Sequence, residues 1–205
     1  MIRIDNLQVY GIESAMRGMR NPMNSWHKND TSGNTIGPND LDLLLRLTKA
    51  GTDHRKTLRQ IMVSCDITAP LYWWKQFDQH KVGVTSNSCS TMYKLCSRPL
   101  TIHDFSFEDM HDDEFIVNLV IDNLNARIKD YNDGMKKNKA LWRTIIQLLP
   151  NAYNQMRTIT MSYENVLRMY EARRYEKLGE WHDFNDCMID NLPYLKELIS
   201  AIQDK

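Results

Sequence analysis

Met156-Arg157-Thr158-Ile159-Thr160-Met161, continued by Ser162-Tyr163-Glu164-Asn165-Val166-Leu167-Arg168-Met169-Tyr170-Glu171-Ala172-Arg173, sets two hydrophobic periods end to end. The first six residues alternate as a strand does. From Tyr163 the pattern becomes helical, and a helix is expected to about Leu178. Val166, Met169 and Tyr170 form its apolar face, and Arg173 follows them at i+7, i+4 and i+3. A guanidinium is thereby directed inward.

The same strand-into-helix pattern occurs earlier. Ile61-Met62-Val63-Ser64-Cys65-Asp66-Ile67 reads as a strand, and Pro70 suits the first turn of a helix carrying Tyr72, Trp73, Trp74 and Phe77, which ends before Gly83. Upstream, Asn21 to Asp40 reads as a long loop closing at an N-cap on Asn39 or Asp40. A short helix over Leu41–Leu47 follows, stopped by Gly51. Asp112 to Leu149 carries two long helices around Gly134, and a last helical pair is divided by Pro193. Helices outnumber strands, and the strands lie far apart in sequence. The expected fold is α+β, an antiparallel sheet flanked by long helices, in one domain spanning residues 1–205.

With 42% apolar residues the chain can fill a sizeable core, and its 26 basic residues balance 26 acidic ones. No overall basic field draws in a polyanion, which argues against bulk nucleic acid as a partner while leaving room for a local phosphate pocket. The start Met1-Ile2-Arg3-Ile4-Asp5 lacks the apolar core of a signal peptide, and no run of about 18 apolar residues occurs, so no membrane role and a cytoplasmic setting are expected. Cys65, Cys89, Cys96 and Cys187 make no C-x-x-C pair, so reduced structural thiols and no metal are expected.

Three features can carry chemistry. Arg173, facing inward, needs a partner, either an internal carboxylate or a ligand that its planar fork matches: a carboxylate, a phosphate or a pyrimidine edge. Gln76-Phe77-Asp78-Gln79-His80-Lys81 leads into a hydroxyl-rich stretch, Thr85-Ser86-Asn87-Ser88-Cys89-Ser90-Thr91. That stretch reads as a solvated turn or as a cradle for phosphate or a ring edge, with His80 and Lys81 as cationic donors. His54 is a lone histidine ahead of the first strand, more often a surface residue than a ligand. No Walker loop, G-x-G-x-x-G or Ser/His/Asp order is present.

In order along residues 50 to 195, these pieces resemble the flavin-dependent thymidylate synthases. Gln76 to Lys81 reads Q-F-D-Q-H-K against Q-x-x-R-H-R, and Asn87 to Met92 reads N-S-C-S-T-M against N-E-x-S-x-R. Leu149-Pro150, Thr160-Met161-Ser162 and Arg173 keep the register of a Leu-Pro, a T-x-N strand end and an inward Arg. Gly179-Glu180-Trp181 stands where that family has A-Q-x-E, and His54 corresponds to its upstream His. The resemblance implies that His54, Gln79, His80, Lys81 and Asn87 line an FAD site. It also implies that Gln76, Ser90 and Arg173 meet a dUMP-like pyrimidine nucleotide, with Arg173 and Ser90 catalytic. The implied reaction passes a one-carbon unit from a folate to the nucleotide, with NADPH restoring the flavin, in a homotetramer with shared sites.

The pattern departs from that family at Gln79, Lys81, Ser88, Met92, Ile146 and Ser162. Each phosphate-pairing arginine lost removes about 1.5–3 kcal/mol of charge-assisted bonding. Lys94, Arg98 and Arg143 are candidate substitutes. The alternatives are a catalytically lapsed homologue that binds a nucleotide or a protein partner, and a structural protein using Tyr72, Trp73 and Trp74 at an interface.

Overall fold

The computed structural model describes residues 2–107, 113–134 and 138–203. Its strands are β1 (Arg3–Tyr10), β2 (Met62–Pro70), β3 (Thr85–Ser88) and β4 (Asn154–Ser162). They form one antiparallel sheet in the order β1-β2-β4-β3. Asp66 fixes the register on both sides of β2: its carboxylate accepts from Asn6 Nδ2 on β1 at 2.7 Å and from Thr158 Oγ1 on β4 at 2.6 Å. The helices are α1 (Ile12–Met19), α2 (Pro38–Lys49), α3 (Leu71–Phe77), α4 (Thr91–Lys94), α5 (Glu114–Asp133), α6 (Lys139–Leu148), α7 (Tyr163–Arg173), α8 (Gly179–Asn191) and α9 (Leu195–Gln203). The α+β class and the antiparallel sheet agree with the sequence reading.

Several boundaries differ. α2 starts at Pro38 with Gly37 as its N-cap, in place of Asn39 or Asp40. Pro38 occupies the first turn, where its missing N–H is harmless. Asp30 supplies the cap from across the loop, accepting from Asn39 N at 2.8 Å and Asp40 N at 3.0 Å. Gly37 permits this approach, since a Cβ there would stand 2.2 Å from Asp30 Cγ. α7 ends at Arg173, short of Leu178. The stretch around Ser86 includes strand β3. Of the helical pair expected from Asp112, the first begins among the described residues at Glu114, and Asp112 itself lies outside them.

The chain divides into two compact units. One comprises Met1–Arg3, Ile67–Gln79 and Asn87–Arg157. In it Trp73 and Trp74 meet edge to face at 4.9 Å beside Phe77, all fully buried. Trp74 Nε1 donates to Gln155 O at 2.9 Å, anchoring α3 to β4. Trp73 and Trp74 are therefore core, which corrects the interface reading; Tyr72 beside them is half-buried. α5 packs on α6 over Leu95, Leu100, Phe105, Ile121, Leu124, Ile128 and Ile145.

The other unit comprises Ile4–Asp66, His80–Ser86 and Thr158–Lys205. Its buried residues include Met16, Leu44, Leu58, Val63, Val166, Leu167, Trp181 and Phe184. α2 packs on α9, and α7 on the 3-10 turn Arg55–Arg59. Burial pushes the Cys65 thiol up to about 12, so it stays protonated. The loop after α1 is a fixed strap. Asp40, fully buried, accepts from Arg20 Nε at 2.8 Å and forms an ion pair with its Nη2 at 2.7 Å, and it accepts from Asn29 Nδ2, Asp30 N, Thr31 N and Thr31 Oγ1 at 2.7–3.1 Å. Ile36 N donates to Tyr194 Oη at 2.8 Å, tying the far end of the strap to the turn between α8 and α9.

Candidate functional site

α7 is launched by a capping box. Ser162 Oγ accepts from Asn165 N at 3.3 Å, and Asn165 Oδ1 accepts from Ser162 N at 3.1 Å. Asn165 Nδ2 also donates to Val82 O at 2.6 Å, holding the turn after His80 against the helix start. Gly83 in that turn has φ +75°, and a Cβ on it would sit 3.2 Å from Asn165 Oδ1. His80 at one end of the turn is thereby set by the same cap that starts the Arg173 helix.

Arg173 is the last residue of α7, and its side chain is mostly covered. Nη1 pairs with Glu176 Oε2 at 2.7 Å, and Cζ lies 5.5 Å from the Trp181 ring centroid. Trp181 is fully buried, braced by Phe184 at 5.7 Å. Its ring also meets His80 edge to face at 6.0 Å. His80 and Arg173 thus share one aromatic platform. Burial, and then the charges of Arg173 and Arg168, hold His80 below its ordinary value. The sequence reading offered His80 as a cationic donor; burial and the nearby guanidiniums disfavour its charged form, and its buried Nε2 has no hydrogen-bond partner among the described residues. A neutral imidazole beside two guanidiniums is suited to exchanging one hydrogen bond with a bound polar group.

In the same unit Arg59, Arg168, Glu164, Ser162, Asn165 and Gly83 help line a cavity of about 450 Å³. His54 is exposed and lines a different cavity of about 630 Å³ with Asn21, Pro22, Lys56, Thr57 and Gln60. Lys81 is exposed in the turn that Val84 N closes onto Lys81 O at 3.2 Å.

The remaining sequence candidates belong to the first unit. Gln76 is half-buried on α3, and Gln79 is exposed in the turn that follows. Asn87 is exposed on β3. Ser90 N-caps α4, accepting from Tyr93 N at 3.3 Å. Three consecutive β4 residues hold these segments. Gln155 Nε2 donates to Cys89 O at 2.8 Å, Met156 O accepts from Cys89 N at 2.9 Å, and Arg157 Nη1 pairs with Asp78 at 2.9 Å. Arg157 also lies over the Trp74 ring at 4.2 Å. Sequence reasoning missed it, although strand alternation puts it on the face of buried Gln155, Ile159 and Met161. Of the substitute cations, Arg98 is engaged by Asp104 at 2.8 and 2.5 Å. Met92 is exposed, and its carbonyl accepts from Trp142 Nε1 at 3.1 Å.

Among the described residues, no helix is long and apolar enough to cross a membrane. No protein-family model matches the chain, and no curated protein matches it in sequence. Solved structures do match. A thymidylate synthase X (ThyX) from Helicobacter pylori, with FAD and dUMP, aligns with a TM-score of 0.79 at 15% identity, covering 98% of this chain and 99% of that one. A flavin-dependent thymidylate synthase ThyX from Helicobacter pylori, complexed with FAD and dUMP, aligns with a TM-score of 0.77 at 17% identity, covering 98% of both chains. The chain has the fold of the flavin-dependent thymidylate synthases, along its whole length and with largely different residues.

Proposed function

We propose that the protein is a divergent flavin-dependent enzyme that passes a one-carbon unit from a folate to a pyrimidine deoxynucleotide such as dUMP, using FAD and NADPH. The observation that carries the reading is the full-length likeness to synthase structures with FAD and dUMP, combined with Arg173 in the family's register on the Trp181 platform. The resemblance extends the reading to a cytoplasmic homotetramer.

The residues present fit such ligands. A nucleotide brings anionic oxygens and an amide edge; Arg59, Arg168 and Arg173 bring cations, and His80 Nε2 is a buried polar atom with a hydrogen bond to make. FAD, when bound and reduced, supplies hydride. Arg173 holds the pyrimidine edge and opposes the negative charge that grows on the ring. This works best when the cation is fixed beforehand, as Glu176 and Trp181 fix it here. His80, kept neutral, orients a ring atom without adding charge. The resemblance adds Gln76 and Ser90 as nucleotide contacts and His54, Gln79, Lys81 and Asn87 as flavin contacts.

A second reading, a homologue that binds nucleotide without turnover, is favoured by Gln79, Lys81, Ser88 and Met92 at the family's charged positions. Titration of dUMP into Arg173→Ala separates a ligand role from a structural one. The expected result is roughly ten- to a hundredfold weaker binding, the loss of one charge-assisted contact, with little change in melting temperature. Unchanged dUMP binding with a lowered melting temperature would make Arg173 a purely structural partner of Glu176.

A further inference from the structure

Arg157 on β4 uses its guanidinium in two directions. Nη1 pairs with Asp78 Oδ1 at 2.9 Å, and Nε donates to Gln155 Oε1 at 3.0 Å. Cζ lies 4.2 Å from the centroid of the buried Trp74 ring, so the side chain, 14% exposed, has little freedom. Gln155, itself 8% exposed, extends the connection: its Nε2 donates to Cys89 O at 2.8 Å. This amide has one workable orientation. A guanidinium offers only donors and a carbonyl only an acceptor, so turning the amide over would set donor against donor and acceptor against acceptor. Asp78, Arg157, Gln155 and Cys89 O thus form one polarised chain, carboxylate to guanidinium to amide to carbonyl, of the kind whose members strengthen one another.

The chain joins two separate segments. Asp78 closes α3 between Gln76 and Gln79, its N–H donating to Trp74 O at 2.8 Å. Cys89 immediately precedes Ser90, the N-cap of α4, and its own N–H donates to Met156 O at 2.9 Å. We propose that Arg157, acting through Gln155, is a positioning residue that locks the turn leaving α3 and the 87–92 loop into one register, presenting Gln76 and Gln79 together with Ser90. The inference rests on the one-carbon-transfer reading, which gives Gln79 to the flavin and Gln76 and Ser90 to the nucleotide. A loop held in advance loses less freedom when the nucleotide binds. Lysine cannot take this place, because its ammonium keeps the charge but lacks the planar fork that bonds Asp78 and Gln155 at once.

The test uses the full-length protein as wild type, as Arg157→Lys, which keeps the charge, and as Asp78→Asn, which changes a half-exposed residue and spares the core. Amide hydrogen exchange is followed in the peptide that holds Cys89, and dUMP is titrated by calorimetry with FAD present. In both variants exchange over 87–92 is expected to quicken about tenfold, and dUMP to bind about tenfold more weakly, with melting temperatures close to wild type. A residue that only packs on Trp74 would leave the loop unmoved. Exchange over 87–92 unchanged in both variants would overturn the inference and leave the proposed function standing, as would faster exchange with undiminished dUMP affinity. Faster exchange in the variants of a wild type that binds neither FAD nor dUMP would keep the link between the two segments and overturn the proposed function. Asp78→Asn alone gives both readouts, so the test does not depend on Arg157→Lys folding.

Discussion

Burial holds both His80 and Glu164 off their ordinary titration values, with the cations of α7 adding to the shift at His80 and opposing it at Glu164. Burial and the charges of Arg173 and Arg168 disfavour the imidazolium, so the folded His80 value lies below the ordinary 6.5. As pH falls through about 6.5 the unfolded chain takes up a proton that the folded chain refuses, and stability declines with falling pH until the folded value is passed. His80→Gln is expected to flatten this limb of a melting-temperature profile between pH 7 and pH 5, relative to wild type. An unchanged profile would mean that His80 takes up its proton as readily in the folded protein as in the unfolded chain. At this scale the sequence was partly legible. Arg173 could be placed inward from three apolar neighbours on its own helix. Strand alternation put Arg157 on the buried face of β4, but its partners could not be read, because Trp74 and Asp78 lie some 80 positions away along the chain.

Among the elements, the strap from Asn21 to Gly37 gathers on Asp40 at its middle and on Tyr194 Oη at its far end. Asp40 gathers Arg20 and three consecutive strap residues, with neither it nor Arg20 more than 5% exposed. Asp40→Asn keeps the shape and removes the charge, leaving Arg20 buried without its counter-ion. A loss of about 3–5 kcal/mol is expected. Thermal melting and proteolysis within the strap would register it, and a variant as stable and as protease-resistant as wild type would contradict the strap's dependence on this pair. The elements legible in the sequence were those with a covered face: β2 and β4 alternate, and α2, α3 and α7 carry clear stops or starts. β3, Thr-Ser-Asn-Ser, is exposed at all four positions, so its pairing with β4 leaves no hydrophobic trace. β1 offers Arg3-Ile4-Asp5-Asn6 at the sheet edge, with no fully buried residue to set a period. The cap of α2 was misplaced because its carboxylate, Asp30, comes from across the loop and not from the preceding residue.

Along the chain as a whole, the fold of the synthase structures is matched at 15–17% identity, with different residues at several positions where the resemblance expects charge. Ser162, where that family has Asn, caps α7, and Met92, where it has Arg, is exposed. The proposed function requires FAD and nucleotide to be held by a different set of side chains, whereas the lapsed alternative requires no flavin. Flavin retention separates these outcomes more directly than turnover, which also requires the folate and the reductant. The decisive measurement is the absorbance spectrum of freshly purified protein, followed by mass analysis of the supernatant after denaturation. The account predicts a flavin band and released FAD, and a perturbed spectrum on adding dUMP. A colourless protein whose spectrum does not respond to added FAD, with or without dUMP, would contradict it.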